Sequence, residues 1–320
     1  MKVVLAGLTA MLLSGSALAQ PAPATPFAAG QPLGVTAAGA RTAMSSNVKV
    51  YGAFNFAESC SYDPGRNLIV AVNRGAIQRE SPNDGFISLI NHDGTVHTSK
   101  WIGDTRAGLV LNDPLGSDIE GGKLYVADRD GDTADGAPPV SVIRMFDMRT
   151  GAPAGQIATP GVNFFNDVEV ARDGTIYATQ TGGGAVPQRL YKIAPNGVAT
   201  VLVDGGPLAL PNGVAIDNDG NVVVVNIGTA AVLTFSPQGA LLKTEMAVQP
   251  GNDGVVIARD GTKYVSSVRE GGISRIRPGR PAEMIASGIP SPASMCHDTQ
   301  ANQLVLPMNP HNALGFLKLN

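Results

Sequence analysis

Three fourteen-residue segments, Asn166 to Thr179, Asn212 to Val225 and Asp253 to Ser266, align without a gap. Each reads as a strand, a tight turn built on Asp-Gly (Asp173-Gly174, Asp219-Gly220, Asp260-Gly261) and a second strand. Looser copies begin at Glu58, Pro114 and Ser294, so six heads follow one another at spacings of 56, 52, 46, 41 and 41 residues. A unit of that length carrying four short strands is a propeller blade, because no blade can bury both of its faces alone and a ring of them can. The sequence therefore predicts an all-β, six-bladed β-propeller over residues 47–320. A β-sandwich would not repeat at this period. The last unit provides about three strands, and the segment Asn47 to Phe54 ahead of the first unit is expected to pair into it and close the ring.

Composition agrees. The 39 glycines and 23 prolines serve a fold with many turns, and no 3.6-residue periodicity runs long enough to make a helix. A net charge of -3 without a basic run offers nothing to a nucleic-acid backbone. Ahead of the propeller, Lys2, the apolar run Val3 to Leu13 and the small-residue pattern Ala17-Leu18-Ala19 read as a secretory signal over 1–19, with cleavage after Ala19. Residues 20–46, with Pro21, Pro23, Pro26 and Pro32, read as an extended leader. The expected product is a periplasmic or secreted monomer without membrane insertion. Cys60 and Cys296 stand two residues after the heads of the first and last units. They are a disulfide candidate in an oxidising compartment, but equivalent positions point the same way around a ring, and two buried free thiols are the default expectation.

The six heads converge at one end of the central channel. In order they are Glu58, Pro114, Asn166, Asn212, Asp253 and Ser294. Two carboxylates and two amide oxygens brought to one point repel and desolvate each other unless a cation sits among them. Hard oxygen donors without His or Cys favour Ca²⁺, with Mg²⁺ or Mn²⁺ as substitutes. Independent turn chemistry at Asn212-Gly213 and Asn252-Asp253-Gly254 is the competing explanation. His297 and His311 are placed where they could edge the channel mouth, whereas His92 and His97 read as surface residues. No nucleophile elbow, dinucleotide fingerprint or P-loop is present, and Asp128 to Asp132 lacks the Gly and Glu of a calcium loop.

The set of Glu58 before a hairpin, Phe165-Asn166-Asp167, Leu210-Pro211-Asn212-Gly213 and Asn252-Asp253-Gly254 resembles the regucalcin/gluconolactonase family of six-bladed propellers, which includes sugar lactonases and a phosphotriester-hydrolysing relative. The resemblance covers about residues 47–320. It implies a calcium ion held by Glu58, Asn166, Asn212 and Asp253, and Asp253 as general base or nucleophile. It also implies a small lactone or related ester as substrate, and Phe164 and Asp167 are expected to line its pocket. Two residues depart from the family pattern: Ser59-Cys60 follows Glu58 in place of Gly-Pro, and Phe164 stands where sugar-lactone members carry Arg. The second departure suggests a less polar substrate. A non-enzymatic propeller with a structural cation and a ligand or protein partner is the alternative.

Overall fold

The computed structural model describes residues 34–35, 41–42, 47–52, 54–75, 83–103, 108–131 and 136–320. The expected signal segment lies outside these residues. Of the expected leader, only the backbone of two short paired strands, Gly34–Val35 and Arg41–Thr42, is described.

Six four-stranded antiparallel sheets follow one another around a ring, which is the six-bladed propeller the repeat predicts. The first strands, Ala57–Asp63, Ser117–Glu120, Val168–Val170, Pro211–Ile216, Asn252–Ile257 and Cys296–Asp298, line the axis. Blades 1 to 5 are each consecutive in sequence. Blade 6 takes its fourth strand, Val48–Gly52, from ahead of blade 1, paired to Ala313–Lys318.

The core is divided among the seams between blades, and this explains the strand composition. Six apolar clusters occur, one between each pair of neighbouring blades. A second strand has neighbours on both faces, so it reads as a continuous apolar run: Val222–Asn226 and Leu68–Asn73 are buried at every position. Fourth strands face solvent, and Leu241–Met246 is exposed along most of its length.

The seam between blades 6 and 1 is covalent. Cys60 and Cys296 form a disulfide with Cα atoms 5.4 Å apart, which corrects the expectation of two free thiols. First strands converge on the axis closely enough for a parallel bridge between Ser59 and Ser294, and this brings the next side chains together. At the end of the seam remote from the heads, His92 Nδ1 meets Asp298 Oδ2 at 2.5 Å, so His92 is an inter-blade contact and not a free surface residue. Gln303 Nε2 donates to both Asp298 Oδ2 and the His92 carbonyl at 2.8 Å.

Candidate functional site

The head residues reach the axis through a recurring backbone device. Two residues before Glu58, Asn212 and Asp253 stand Phe56 (φ 50°), Leu210 (φ 56°) and Gly251 (φ 81°), each in the left-handed region. For the two non-glycine residues this conformation costs on the order of 1 kcal/mol, and the fold must hold it in place. The Phe56 N–H donates to Asn312 Oδ1 at 2.7 Å and the Leu210 N–H to Gln188 Oε1 at 2.7 Å. The turn directs the next residues inward from the rim.

Hydroxyl groups then tie one head to the next. Ser59 Oγ donates to the Leu115 carbonyl at 2.6 Å, Thr179 Oγ1 to the Asn212 carbonyl, and Ser266 Oγ to the Ala293 carbonyl at 2.8 Å. Thr179 and Ser266 also accept the N–H of Asp167 and Gly254. Close approach requires glycine at Gly213, where an added Cβ would sit 2.4 Å from the Asp253 carbonyl. Gly116 stands against Asn166 and Asp167 in the same way, so the head of blade 2 is Leu115, one residue beyond the Pro114 read from sequence. By the same marks, the tie from Ser266 and a left-handed Ser291 two residues earlier, the head of blade 6 is Ala293, one residue before the Ser294 read from sequence. Neither Leu115 nor Ala293 offers a side-chain ligand.

Glu58, Asn212 and Asp253 are all buried. Asn212 Nδ2 donates to Asp253 Oδ2 at 3.3 Å. Glu58 Oε2 accepts from Asn309 Nδ2, a residue of the short 3-10 turn Asn309–His311 in blade 6. Asn166 is half-buried; its N–H donates to the Thr179 carbonyl at 2.7 Å and its own carbonyl accepts from Gly116 at 2.8 Å. Phe164, also half-buried, packs on the apolar cluster between blades 2 and 3. Asp167 is buried with both oxygens engaged by backbone amides, Oδ1 by Val168 and Oδ2 by Val214, each at 3.0 Å.

The electrostatics show a strained centre. Burial raises the Glu58 carboxyl to about 7; Asp113 adds to the rise, while Arg74 and the Asn309 hydrogen bond oppose it. Burial, then Glu58 and Asp167, pushes Asp253 well above the usual carboxylate range. Asp167 is raised to about 7, chiefly by burial. Several side-chain atoms here have no hydrogen-bond partner although they are shut off from solvent: Asn212 Oδ1, Asp253 Oδ1, Asn309 Oδ1 and both polar atoms of Asn252. Native proteins leave few such atoms, and the oxygens among them on Asn212, Asp253, Asn309 and Asn252 are open to a ligand. The donor chemistry fits a hard divalent cation. Among the described residues no group of three or more His, Cys, Asp or Glu is placed to hold a metal, so amide oxygens are essential to the set.

Sequence reasoning missed several of these neighbours. Arg74 is paired with Asp113 through two hydrogen bonds, at 2.6 and 3.0 Å, and lies over the Phe56 ring at 5.1 Å. Arg129 approaches the same Asp113 at 2.8 Å. The guanidinium near Glu58 follows the second strand Leu68–Asn73 of the same blade. Arg74 and Asp113 fall outside the head register, and only folding brings them together. His311 belongs to the turn at the mouth. His297 does not: it lines a cavity of about 390 Å³ reached from the other end of the channel, together with Tyr62, Asp118, Asp167, Glu169 and Arg259. Burial lowers the His297 imidazole below its usual range.

A six-bladed propeller with a buried, oxygen-lined channel mouth defines the class of protein. A sequence model of the SMP-30/gluconolactonase/LRE-like region matches residues 56–306, and the chain belongs to that family. No curated protein matches it by sequence. Among solved structures, a gluconolactonase from Xanthomonas campestris superposes with a TM-score of 0.61 at 18% identity, covering 91% of this chain and 95% of that one. Virginiamycin B lyase from Staphylococcus aureus superposes with a TM-score of 0.60 at 13% identity, covering 87% of this chain and 100% of that one. At these identities the likeness is one of fold, and a fold shared by a lactonase and a lyase leaves function to the site. Among the described residues, no helix is long and apolar enough to cross a membrane.

Proposed function

We propose that the chain is an exported hydrolase of a lactone or related ester that works with a divalent cation, Ca²⁺ in first place. The observation that carries this reading is the set of unpartnered buried oxygens on Asn212 and Asp253 beside the buried Glu58. Glu58 and Asp253 would hold the cation with Asn166 and Asn212, two carboxylates balancing its charge. Bound there, a cation supplies polarisation of the substrate carbonyl and charge to stabilise the developing oxyanion. Asp253 has the attributes of the general base. One oxygen accepts from Asn212 and the other has no partner within the protein, so that oxygen would face both the cation and the water from which it takes a proton. Phe164 offers an apolar wall to the substrate, and Asp167 braces blade 3 against blade 4 beneath the mouth. Export is supported by the Lys2-to-Ala19 pattern and by a disulfide, which persists in oxidising compartments.

The test is hydrolysis of a panel of lactones and esters by purified protein with Ca²⁺ or with chelator. Turnover that requires the cation and falls at least about a hundredfold in Asp253→Ala is expected. Turnover indifferent to chelation contradicts the cation's role. A cation that raises the melting temperature of a protein without turnover on any substrate contradicts the hydrolase reading and favours a ligand-binding propeller.

A further inference from the structure

The sixth blade brings an oxygen to the channel mouth that lies outside the repeat. Its head, Ala293, carries no side-chain oxygen, but Asn309, just past the second strand Gln303–Met308, reaches Glu58 from the side. Asn309 is 8% exposed. Its Nδ2 donates to Glu58 Oε2, and its Oδ1 has no partner. The amide nitrogen and oxygen share one carbon, so an oxygen whose nitrogen is bound to Glu58 lies in the immediate neighbourhood of that carboxylate.

The turn that carries it is anchored. Pro310 occupies the first turn, and Asn312 ends it in the left-handed conformation (φ 52°). The Asn312 side chain accepts the Phe56 N–H, two residues before Glu58. A buried amide oxygen without a donor is a destabilising arrangement unless something else binds it. Oxygen ligands around Ca²⁺ number six to eight, and the four head residues leave positions open.

We propose that Asn309 is a fifth oxygen ligand of the cation site, supplied by the blade that closes the ring. The proposal rests on the reading of the channel mouth as a cation site. It has a structural consequence: a cation held by both Glu58 and Asn309 joins the first blade to the last.

The experiment is calorimetric titration of Ca²⁺ into the chelator-stripped full chain, with melting curves as a check on folding. Asn309→Leu is expected to weaken Ca²⁺ binding at least about tenfold. Asn309→Asp, which keeps an oxygen and loses the N–H, is expected to bind within about threefold of wild type or more tightly, since added charge favours the cation. Val201→Thr, on the exposed outer strand Ala199–Asp204, is expected to bind as wild type does. Wild-type affinity in Asn309→Leu overturns the proposal. So does Asn309→Asp binding as weakly as Asn309→Leu, because the amide N–H and not the oxygen would then be what matters. A wild-type chain that takes up neither Ca²⁺ nor Mn²⁺ overturns the cation reading itself, and Asn309 with it. Should Asn309→Leu fail to fold, the comparison of Asn309→Asp with wild type decides.

Discussion

At the scale of the residue, Glu58 and Asp253 hold more proton affinity folded than unfolded, and this sets a pH dependence. A carboxyl raised to about 7 binds a proton in the native state that the unfolded chain has already lost between about pH 4.5 and 7. The metal-free protein therefore loses stability as pH rises through that window, by roughly 3 kcal/mol for Glu58 alone. Asp167, also raised to about 7, adds in the same direction. Melting curves from pH 5 to 8.5 in chelator should fall with pH, and Ca²⁺ should remove much of the slope by favouring the ionised carboxylates. A rising or flat stability in chelator contradicts the burial argument. Legibility at this scale followed register. Glu58, Asn212 and Asp253 were visible because the repeat places them at equivalent positions. Asn309 was not, because among the described residues such a turn occurs in blade 6 alone, nor was Arg74, because its pairing with Asp113 is made across blades.

At the scale of the element, the hydroxyl ties between heads matter more than the outer strands. Thr179 Oγ1 accepts the Asp167 N–H and donates to the Asn212 carbonyl, so Thr179→Val leaves both without a partner in a buried seam. A loss of about 1–3 kcal/mol is expected by chemical denaturation. The comparison is Val201→Thr on the outer strand Ala199–Asp204, where the side chain is 44% exposed and the change should lie within about 0.5 kcal/mol. Equal losses at the two positions contradict the account. The strands themselves were legible: in blade five the structure gives Asn252–Ile257, Lys263–Ser267, Ile273–Ile276 and Glu283–Ala286, matching four runs of alternating or continuous apolar sequence. The head of blade 2 was read one residue early, at Pro114 instead of Leu115, because its copy of the repeat is loose and lacks the Asp-Gly turn that fixes register in blades 3, 4 and 5.

At the scale of the whole molecule, the seam between blades 6 and 1 carries the ring's closure. The disulfide spans 236 residues of sequence, and an apolar cluster that includes Phe54, Ile69, Val305 and Phe316 packs around it. The chain-entropy argument gives about 5 kcal/mol for a loop of that length. Cys296→Ser, or reduction of the native protein, is therefore expected to lower the melting temperature by roughly 10 °C. An unchanged melting temperature would show that strand pairing and the apolar cluster suffice. The ring was legible from six spaced heads. The cysteines were legible as a candidate pair, but not the bond between them, because sequence reveals neither how closely first strands approach at the axis nor how their side chains are turned.

The central claim is that the channel mouth of this propeller is built to hold one divalent cation. Crystals soaked in Mn²⁺ and measured for anomalous scattering test it most directly. The account predicts a single strong peak bounded by the carboxylates of Glu58 and Asp253 and the amide oxygens of Asn166 and Asn212. Diffraction that shows no peak there, or places it among Asp118 and Glu169 at the other end of the channel, would contradict it.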